Sequence, residues 1–447
     1  MQSHPTLSEF VHKFQHLLAT QALAEPEGWV TEATSSGFRV NGLSQFLALG
    51  SLVKIMTDKK SVLAEVVRIE QDSALVRPYS AEANIKLLTR VVPGGTIQIR
   101  PCAAWSGRML NALAEAIDEG PLLPLGEESV EIISKPLHPL KRKLVKAPAK
   151  TGIKVIDIFT PVCIGQRIGI FAGSGVGKST MLAMLGRAQS FDKVVVVLVG
   201  ERGREVREFA ESALGRDKDR LISVVATSDE SPMMRRMAPL TGMRIAEYFR
   251  DHGENVLLIV DSITRYAHAA RDVALAAGEA PVARGFPPSV FTQMPRLLER
   301  AGPGLEGGGS ITGVFSVLID GDDHNDPIAD SIRGILDGHI VLKRSIAEQG
   351  RYPAVDPLAS ISRLAEHCWT AEQRKLVLLL RGLIARYEDS KDLRSMGGYQ
   401  AGADHELDRA IAIIPKLYTA MIQSAPIENS VDPFADLATY LIEPKRS

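Results

Sequence analysis

The segment "RIGIFAGSGVGKST", residues 167 to 180, constrains the fold more strongly than any other part of the sequence. An apolar run is followed by a glycine-rich loop and then by the helix-forming sequence "STMLAMLGRA". Such a loop binds phosphate, because its backbone N–H groups and the N-terminus of the following helix point at the anion. The segment therefore predicts a strand, a phosphate-binding loop and a helix in an α/β fold with a parallel sheet.

Two residues of this loop carry the side chains that binding of a nucleoside triphosphate requires. Lys178 is expected to contact the β- and γ-phosphates of ATP, and the Ser179 hydroxyl is expected to hold Mg²⁺. Ala172 occupies the first position of the pattern G-x-x-x-x-G-K-[ST], where a small residue suffices. The residues predicted to bind the nucleotide here are Gly173, Ser174, Gly175, Val176, Gly177, Lys178, Ser179 and Thr180.

Two acidic residues follow apolar runs that predict buried strands. Asp261, which ends "ENVLLIVD", is a candidate to hold Mg²⁺ through water beside Ser179, since open α/β sheets bind ligands at the carboxyl ends of their strands. Glu201, which follows "VVVVLVG", is a candidate to orient or deprotonate the attacking water. Each also has a plainer explanation, Asp261 as a turn former and Glu201 as part of a charged helix start. The phosphate loop favours the first role for Asp261, whereas composition leaves both open for Glu201.

The chain divides into segments with different sequence patterns. Residues 1–21 predict an amphipathic helix, which packs either on its own body or on a partner. Short β-rich pieces over residues 22–100 predict a small β-barrel. Strands alternating with helices over 101–347 predict a central α/β domain, which the phosphate loop marks as a P-loop ATPase domain, and helical periodicity predicts a C-terminal helical domain over 348–447.

Charge and cysteine content exclude several classes of protein. The 52 basic and 53 acidic residues give a formal net charge of -1, so no global field attracts nucleic acid or anionic lipid. The three cysteines are far apart without a CxxC spacing, which argues for a reducing compartment and against a zinc site or disulfide framework. No bilayer-length apolar run and no signal-peptide pattern occur, so we expect a cytoplasmic protein whose membrane contact is peripheral.

Several motifs, taken together, resemble those of the ATPases that energise type III protein export, and most closely the flagellum-specific export ATPases. This family is related to the α and β subunits of rotary ATP synthases. The resemblance extends from about residue 20 to residue 425. The segments that carry it are "AGSGVGKST", "GERGREVREF", "VVATSDESPMMRR", "DSITRYAHAARDVALAAGE", "PVARGFPPSVF" and "YPAVDPLASISR".

The last of these segments implies a site shared between subunits. "PAVDPLASIS" matches the signature of the rotary ATPase superfamily, in which the arginine that follows reaches the neighbouring subunit's nucleotide site. Arg363 holds that position here, and Tyr352 matches the aromatic residue that stacks on the adenine. The resemblance therefore implies a ring, because an arginine supplied in trans couples hydrolysis to the arrangement of the subunits.

The same resemblance implies roles for residues near the phosphates. Glu201 matches the catalytic glutamate, and Asp261 matches the aspartate linked to Mg²⁺. Arg202 and Arg265 match arginines near the γ-phosphate. These assignments agree with the roles that the motifs suggest for Glu201 and Asp261.

The family implies a homohexameric, Mg²⁺-dependent ATPase at the inner face of the cytoplasmic membrane. Its expected partners are the flagellar export regulator, the stalk protein, chaperone–substrate complexes and the export gate, with no nucleic acid. The nearest alternative is the ATPase of a virulence injectisome, followed by a rotary ATP synthase subunit and then by an RNA-translocating termination factor. The last predicts stacking aromatics in the barrel, and the segment 30–100 offers few.

Overall fold

The computed structural model describes residues 11, 26–58, 60–81, 84–209, 218–319, 326–424 and 432–442. The chain forms two compact units, Met1–Thr96 with Ala276–Glu279 and Ile97–Leu275 with Ala280–Ser447. Apart from residue 11, the helix predicted over 1–21 lies outside the described residues. The domain boundaries predicted near residues 100 and 347 stay predictions.

Six antiparallel strands close a barrel in the first unit, which confirms the predicted N-terminal barrel. They are β1 (Gly28–Thr34), β2 (Gly37–Asn41), β3 (Leu52–Met56), β4 (Ser61–Ile69), β5 (Ser73–Pro78) and β6 (Arg90–Gly95). Their order around the barrel is β1-β2-β5-β4-β3-β6. Because successive side chains alternate between the two faces of a strand, Val30 is buried inside the barrel whereas Trp29 is exposed. β-branched residues such as Val40, Val53 and Ile55 fill the interior.

The second unit is built on a mostly parallel sheet, as the phosphate-loop segment predicts. Its strands are β7 (Gln98–Ile99), β8 (Met109–Leu110), β9 (Val130–Glu131), β10 (Pro148–Ala149), β11 (Val162–Cys163), β12 (Arg167–Ala172), β13 (Lys193–Glu201), β14 (Leu221–Thr227), β15 (Asn255–Asp261), β16 (Gly302–Pro303), β17 (Ser310–Leu318), β18 (Gly338–Leu342) and β19 (Ile361–Ser362). The main sheet has the order β19-β18-β12-β17-β15-β13-β14-β8. Its neighbouring strands are parallel except β19, which runs antiparallel to β18, and β16, which pairs antiparallel with β17. Two short pairs, β7 with β9 and β10 with β11, lie outside this sheet.

Helices cover this sheet and continue beyond it into a C-terminal helical part. They are α1 (Lys154–Phe159), α2 (Lys178–Leu185), α3 (203–209), α4 (Pro232–Asp251), α5 (Ile263–Ala276), α6 (Pro288–Leu298), α7 (Pro327–Ile335), α8 (Arg344–Ala347), α9 (Ala371–Asp389), α10 (Lys391–Ser395), α11 (His405–Ala420) and α12 (Pro433–Ile442). Among the described residues, no helix combines the length and the apolarity that crossing a membrane requires.

The C-terminal helices pack on each other and on the core of the sheet unit. Thr370 and Gln373 form a reciprocal capping box at the start of α9, which satisfies two backbone N–H groups that the helix leaves unpaired. Val377 of α9 and Ile414 of α11 are completely buried in the same apolar cluster as the strands. The predicted C-terminal helical domain is therefore confirmed.

The central strands are buried on both faces. Every residue of β13 after Lys193 is buried, as expected for a parallel strand that is covered by helices on both sides. Helix α4 packs against β13, β14 and β15 from one side. This burial fixes the positions of the strand ends, and the strand ends carry the predicted site residues.

Candidate active site

Three strand ends bring the predicted residues to one edge of the sheet. β12 ends at Ala172 and leads into the glycine-rich loop, β13 ends at Glu201 and β15 ends at Asp261. Since these strands are parallel, their carboxyl ends lie at the edge where open α/β sheets bind ligands. A cleft of about 290 Å³ opens there, and its lining includes Ser179, Thr180, Arg187, Glu201, Glu205 and Asp261.

The glycine-rich loop has the backbone conformation that its sequence predicts. Gly175 and Gly177 have φ angles of 76° and 85°, in the left-handed region where a side chain would be strained. Gly177 directly precedes α2, so the loop ends at the N-terminus of that helix. Val176 is buried and anchors the loop, whereas Ser179 and Thr180 are exposed to the cleft. The loop can therefore present backbone N–H groups and two hydroxyls to a phosphate chain.

Lys178 and Asp261 form an ion pair between the loop and the end of β15. Lys178 Nζ contacts Asp261 Oδ1, and the Ser316 hydroxyl donates a hydrogen bond of 2.6 Å to the same carboxylate oxygen. The side chains of Lys178 and Asp261 are only 12% and 6% exposed. Because a nearly buried charge is costly unless it is paired, this contact keeps both ionised groups in the cleft.

Glu201 is a buried carboxyl group with a strongly raised pKa. Burial is the main cause, and the hydrogen bond with Glu205 and the negative charge of Asp261 add to it, so that the pKa of Glu201 rises to about 7. The Arg265 guanidinium lies 3.5 Å from Glu201 Oε2 and opposes this rise. A carboxyl group that titrates near neutral pH can exchange a proton with water at the pH of the cell.

The two arginines that match γ-phosphate arginines of the family, Arg202 and Arg265, have different surroundings in the structure. Arg265 contacts Glu201 at the cleft, and its side chain packs beside Gly200. The Arg202 side chain is 81% exposed, and its guanidinium lies 3.8 Å from Glu205. Neither arginine lines the cleft itself, but Arg265 contacts the lining residue Glu201 whereas Arg202 contacts Glu205.

Tyr352 lies over the glycine-rich loop. A Cβ atom added to Gly177 would come within 3.2 Å of the Tyr352 ring, so the ring covers the backbone just before α2. Tyr352 also lines an apolar pocket, whose other members include Val155, Phe159, Ile346, Leu417, Met421 and Ile422. This pocket is narrow, with an open volume of about 20 Å³, whereas the Tyr352 ring itself is 42% exposed beside the phosphate loop.

Arg363 lies at the opposite edge of the sheet. Its backbone N–H donates to Asp337 O at 2.9 Å, and Asp337 N–H donates to Arg167 O at 2.9 Å. Arg167 begins β12, and the phosphate loop begins where this six-residue strand ends, roughly 20 Å away. Arg363 is exposed, and within the described part of the chain no hydrogen bond or salt bridge to its guanidinium is found. The side chain is therefore far from its own cleft and free to contact another molecule.

Two residues that contact the predicted site residues are absent from the sequence predictions. Glu205 shares a hydrogen bond with Glu201, and Ser316 donates to Asp261. Ser316 has a sequence signal, because it is a polar residue inside the apolar strand "SITGVFSVL". Glu205 is one of many charged residues in "ERGREVRE", and only its contact with Glu201 distinguishes it.

Two family models match consecutive parts of the chain. The ATP synthase alpha/beta family, nucleotide-binding domain, matches residues 152–362. The T3SS EscN ATPase C-terminal domain matches residues 369–436. The first match contains the cleft and the second contains the C-terminal helices, and the second favours an export ATPase over a rotary ATP synthase subunit.

Curated relatives extend the match over nearly the whole chain. The flagellum-specific ATP synthase of Rhizobium meliloti (strain 1021) is 54% identical over 416 residues, which cover 93% of this chain and 89% of the relative. The type 3 secretion system ATPase of Xanthomonas euvesicatoria is 41% identical over 423 residues, which cover 93% of this chain and 95% of the relative. The higher identity favours the flagellar interpretation over the injectisome alternative.

Solved structures show the same architecture. The assembled ATPase EscN from the type III secretion system of enteropathogenic E. coli has a TM-score of 0.86 and 38% identity, over 93% of this chain and all of that one. EscN in complex with its central stalk EscO has a TM-score of 0.84 and 37% identity over the same shares. The chain therefore belongs to the family of flagellum-specific and type III secretion ATPases, whose nucleotide-binding domain is that of the ATP synthase α and β subunits.

Proposed function

We propose that this chain forms a homohexameric ring that hydrolyses ATP with Mg²⁺ and energises flagellar protein export by releasing substrates from their chaperones. Each active site consists of the cleft of one subunit, completed by Arg363 of its neighbour. The position of Arg363 carries this proposal, since the residue lies one strand length from its own cleft. In a closed ring with head-to-tail interfaces, the sheet edge that carries Arg363 in one subunit faces the cleft of the next subunit. The assembled EscN structures support an oligomer of this kind.

The residues of the cleft fit a magnesium ion that arrives with the nucleotide. Mg²⁺ prefers oxygen ligands and binds through few protein groups, several waters and substrate phosphates. The Ser179 hydroxyl and the Asp261 carboxylate supply such oxygens in one cleft. Among the described residues there is no cluster of three or more His, Cys, Asp or Glu side chains that forms a dedicated metal cage. When bound, Mg²⁺ neutralises charge on the β- and γ-phosphates.

Different protein groups at the cleft have different roles in hydrolysis. The loop N–H groups and Lys178 hold the phosphate chain, and Glu201 takes or orients the proton of the attacking water. Arg265 restrains the Glu201 carboxylate at 3.5 Å. Arg363 of the neighbouring subunit stabilises the charge that develops on the transferred phosphoryl group.

Tyr352 is proposed to stack on the adenine. Replacing Tyr352 by Ala is expected to weaken ATP binding about fivefold to tenfold, because an aromatic pair contributes about 1 kcal/mol. Replacing it by Phe should leave the affinity nearly unchanged, since the ring remains. Titration with ATP and with inorganic tripolyphosphate measures both effects, and only ATP should lose affinity.

The control for this change is Tyr440→Ala, which removes another half-exposed tyrosine from the C-terminal helices. It should leave both affinities unchanged. An equal loss of affinity for ATP and for tripolyphosphate in Tyr352→Ala would contradict adenine stacking.

The proposed partners follow from the family. EscN binds a central stalk protein, which supports a stalk partner for this chain. We propose that the ring works in the cytoplasm at the membrane-embedded export gate, and that residues 1–20 bind the export regulator.

Deleting residues 1–20 should abolish regulator binding in a pull-down while the ATPase activity of the ring remains.

The ring is tested by the dependence of activity on protein concentration. Specific ATPase activity is expected to rise steeply with concentration, in parallel with the appearance of hexamers in mass photometry, because a monomer lacks the arginine of its neighbour. A constant specific activity, measured where only monomers are present, would exclude the shared site.

A further inference from the structure

Two of the three cysteines meet in the folded chain. Cys163 Sγ lies 3.0 Å from Cys368 Sγ, although the residues are separated by 205 positions in the sequence. Cys163 belongs to β11, and Cys368 follows the short helical turn Ala365–His367. Both are free thiols in the structure. The sequence spacing, which argues against a disulfide, gives no sign of this contact.

We propose that Cys163 and Cys368 are an oxidation site, at which a hydroperoxide converts the two thiols into an intramolecular disulfide that restrains the Arg363 segment. The oxidant transfers one oxygen atom to a thiolate and leaves as an alcohol or water, so that a sulfenic acid forms. The second thiol attacks this sulfur, the S–S bond forms, the S–O bond breaks and water leaves. In total, two thiols lose two protons and two electrons, and the peroxide is reduced by two electrons.

The surroundings of the pair favour this reaction. Cys163 is completely buried, whereas Cys368 is partly exposed, so a small oxidant can reach the pair from the side of Cys368. The hydrogen bond between the two thiols lowers the pKa of Cys163, against the effect of burial, and raises the pKa of Cys368, to which burial adds. The thiolate is the reactive form of cysteine. Because the sulfurs are already in contact, bond formation requires no large movement of the chain.

The disulfide would form a covalent crosslink beside the segment that carries Arg363. The Cys163 N–H donates to the Gln166 side chain at 2.8 Å, and Gln166 donates to Ser362 Oγ at 3.1 Å. Ser362 directly precedes Arg363. On the other side of the pair, the Trp369 indole N–H donates to Ile158 O at 3.1 Å, just before α9 begins. A covalent bond would therefore hold the end of β19 and the start of the C-terminal helices against β11.

We expect this restraint to slow ATP turnover, an effect that rests on the proposed role of Arg363 at the subunit interface. An arginine that enters and leaves a neighbouring site during each cycle needs local adjustment of its segment. The disulfide itself does not depend on that role. The covalent bond and its effect on turnover are therefore measured separately.

The experiment treats the full-length protein with hydrogen peroxide, alkylates the remaining thiols under denaturing conditions and maps the tryptic peptides by mass spectrometry. Two of the three thiols should disappear, and a peptide pair joined through Cys163 and Cys368 should appear within one chain. ATP turnover of the same sample should fall about twofold or more and recover with dithiothreitol. The Cys102→Ser variant should behave like the wild-type protein in both measurements.

The Cys368→Ser variant should form no linked peptide and keep its turnover under the same treatment. Recovery of three alkylated thiols from the treated wild-type protein, or links only between chains, would overturn the oxidation site. A complete Cys163–Cys368 link with unchanged turnover would overturn the restraint of Arg363 and leave the ring proposal standing. Low turnover of the untreated protein at all concentrations would count against the ring instead.

Discussion

Replacing Glu201 by Gln is expected to lower ATP turnover by about 100-fold to 10,000-fold while ATP binding is retained. Glutamine has nearly the same shape but cannot take a proton from the attacking water. Binding should survive, because the glycine-rich loop and Lys178 contact the phosphates from another element. Single-turnover hydrolysis measures the chemical step, and binding of a fluorescent ATP analogue measures the affinity.

The raised pKa of Glu201 predicts the pH dependence of this step. Because the pKa is about 7, the carboxyl group is mostly protonated and inactive as a base below that pH. Turnover should therefore rise as the pH increases through 7 and level off above it. Replacing Glu205 by Gln removes the carboxylate that stabilises the protonated form of Glu201, so this rise should move to lower pH.

A matched control for both changes is Glu208→Gln. Glu208 lines the same cleft, but its side chain is 58% exposed and pairs with Arg204. Its replacement should leave turnover and the pH profile close to those of the wild-type protein. Wild-type turnover in Glu201→Gln, or an equal loss in Glu208→Gln, would remove Glu201 from the mechanism.

The main elements of the fold could be predicted from local patterns. The loop "AGSGVGKST" constrains its own conformation through its glycines, and apolar runs such as "KVVVVLVG" indicate buried parallel strands. The barrel follows from short β-rich pieces. The order of the strands could not be predicted, because pairing in a parallel sheet joins segments that are far apart in sequence, such as β12 and β17.

The features of the site that could not be predicted from the sequence are contacts between side chains that are far apart along the chain. The sequence predicts Lys178 and Asp261 separately, but their ion pair spans 83 positions and depends on the order of the strands. The raised pKa of Glu201 depends on its burial and on its hydrogen bond with Glu205. Neither can be predicted from a local sequence pattern. The distance between Arg363 and its own loop likewise emerges only when β12 and β18 lie side by side.

The Arg363→Ala variant is expected to bind ATP but to hydrolyse it about a thousandfold more slowly, since an arginine supplied in trans typically accelerates phosphoryl transfer by that factor or more. Arg363 has no salt bridge or hydrogen bond to its guanidinium within the described residues, so its removal should not destabilise the fold. Thermal unfolding should confirm an unchanged midpoint. Arg374→Ala, which removes another exposed arginine from the first turn of α9, should keep wild-type turnover.

Mixing this variant with Lys178→Ala protein distinguishes action in trans from action within one subunit. Each variant alone lacks one essential group at every site. In a mixed ring, an Arg363→Ala subunit still has Lys178 and can receive Arg363 from a Lys178→Ala neighbour. Random 1:1 assembly restores about a quarter of the interfaces, so activity should reach about a quarter of the wild-type value if the sites act independently.

If Arg363 served its own cleft, no subunit in the mixture would contain both groups, and activity would stay at the level of the separate variants. Co-assembly must be shown in the same samples, for example by exchange of differently labelled subunits in mass photometry. The double variant Lys178→Ala/Arg363→Ala, mixed with Arg363→Ala protein, provides the negative control, because no interface in that ring contains both residues. Demonstrated co-assembly without any recovery of activity would refute the shared site. Recovery is the expected result, because the roughly 20 Å between Arg363 and its own loop leaves the neighbouring cleft as its place of action.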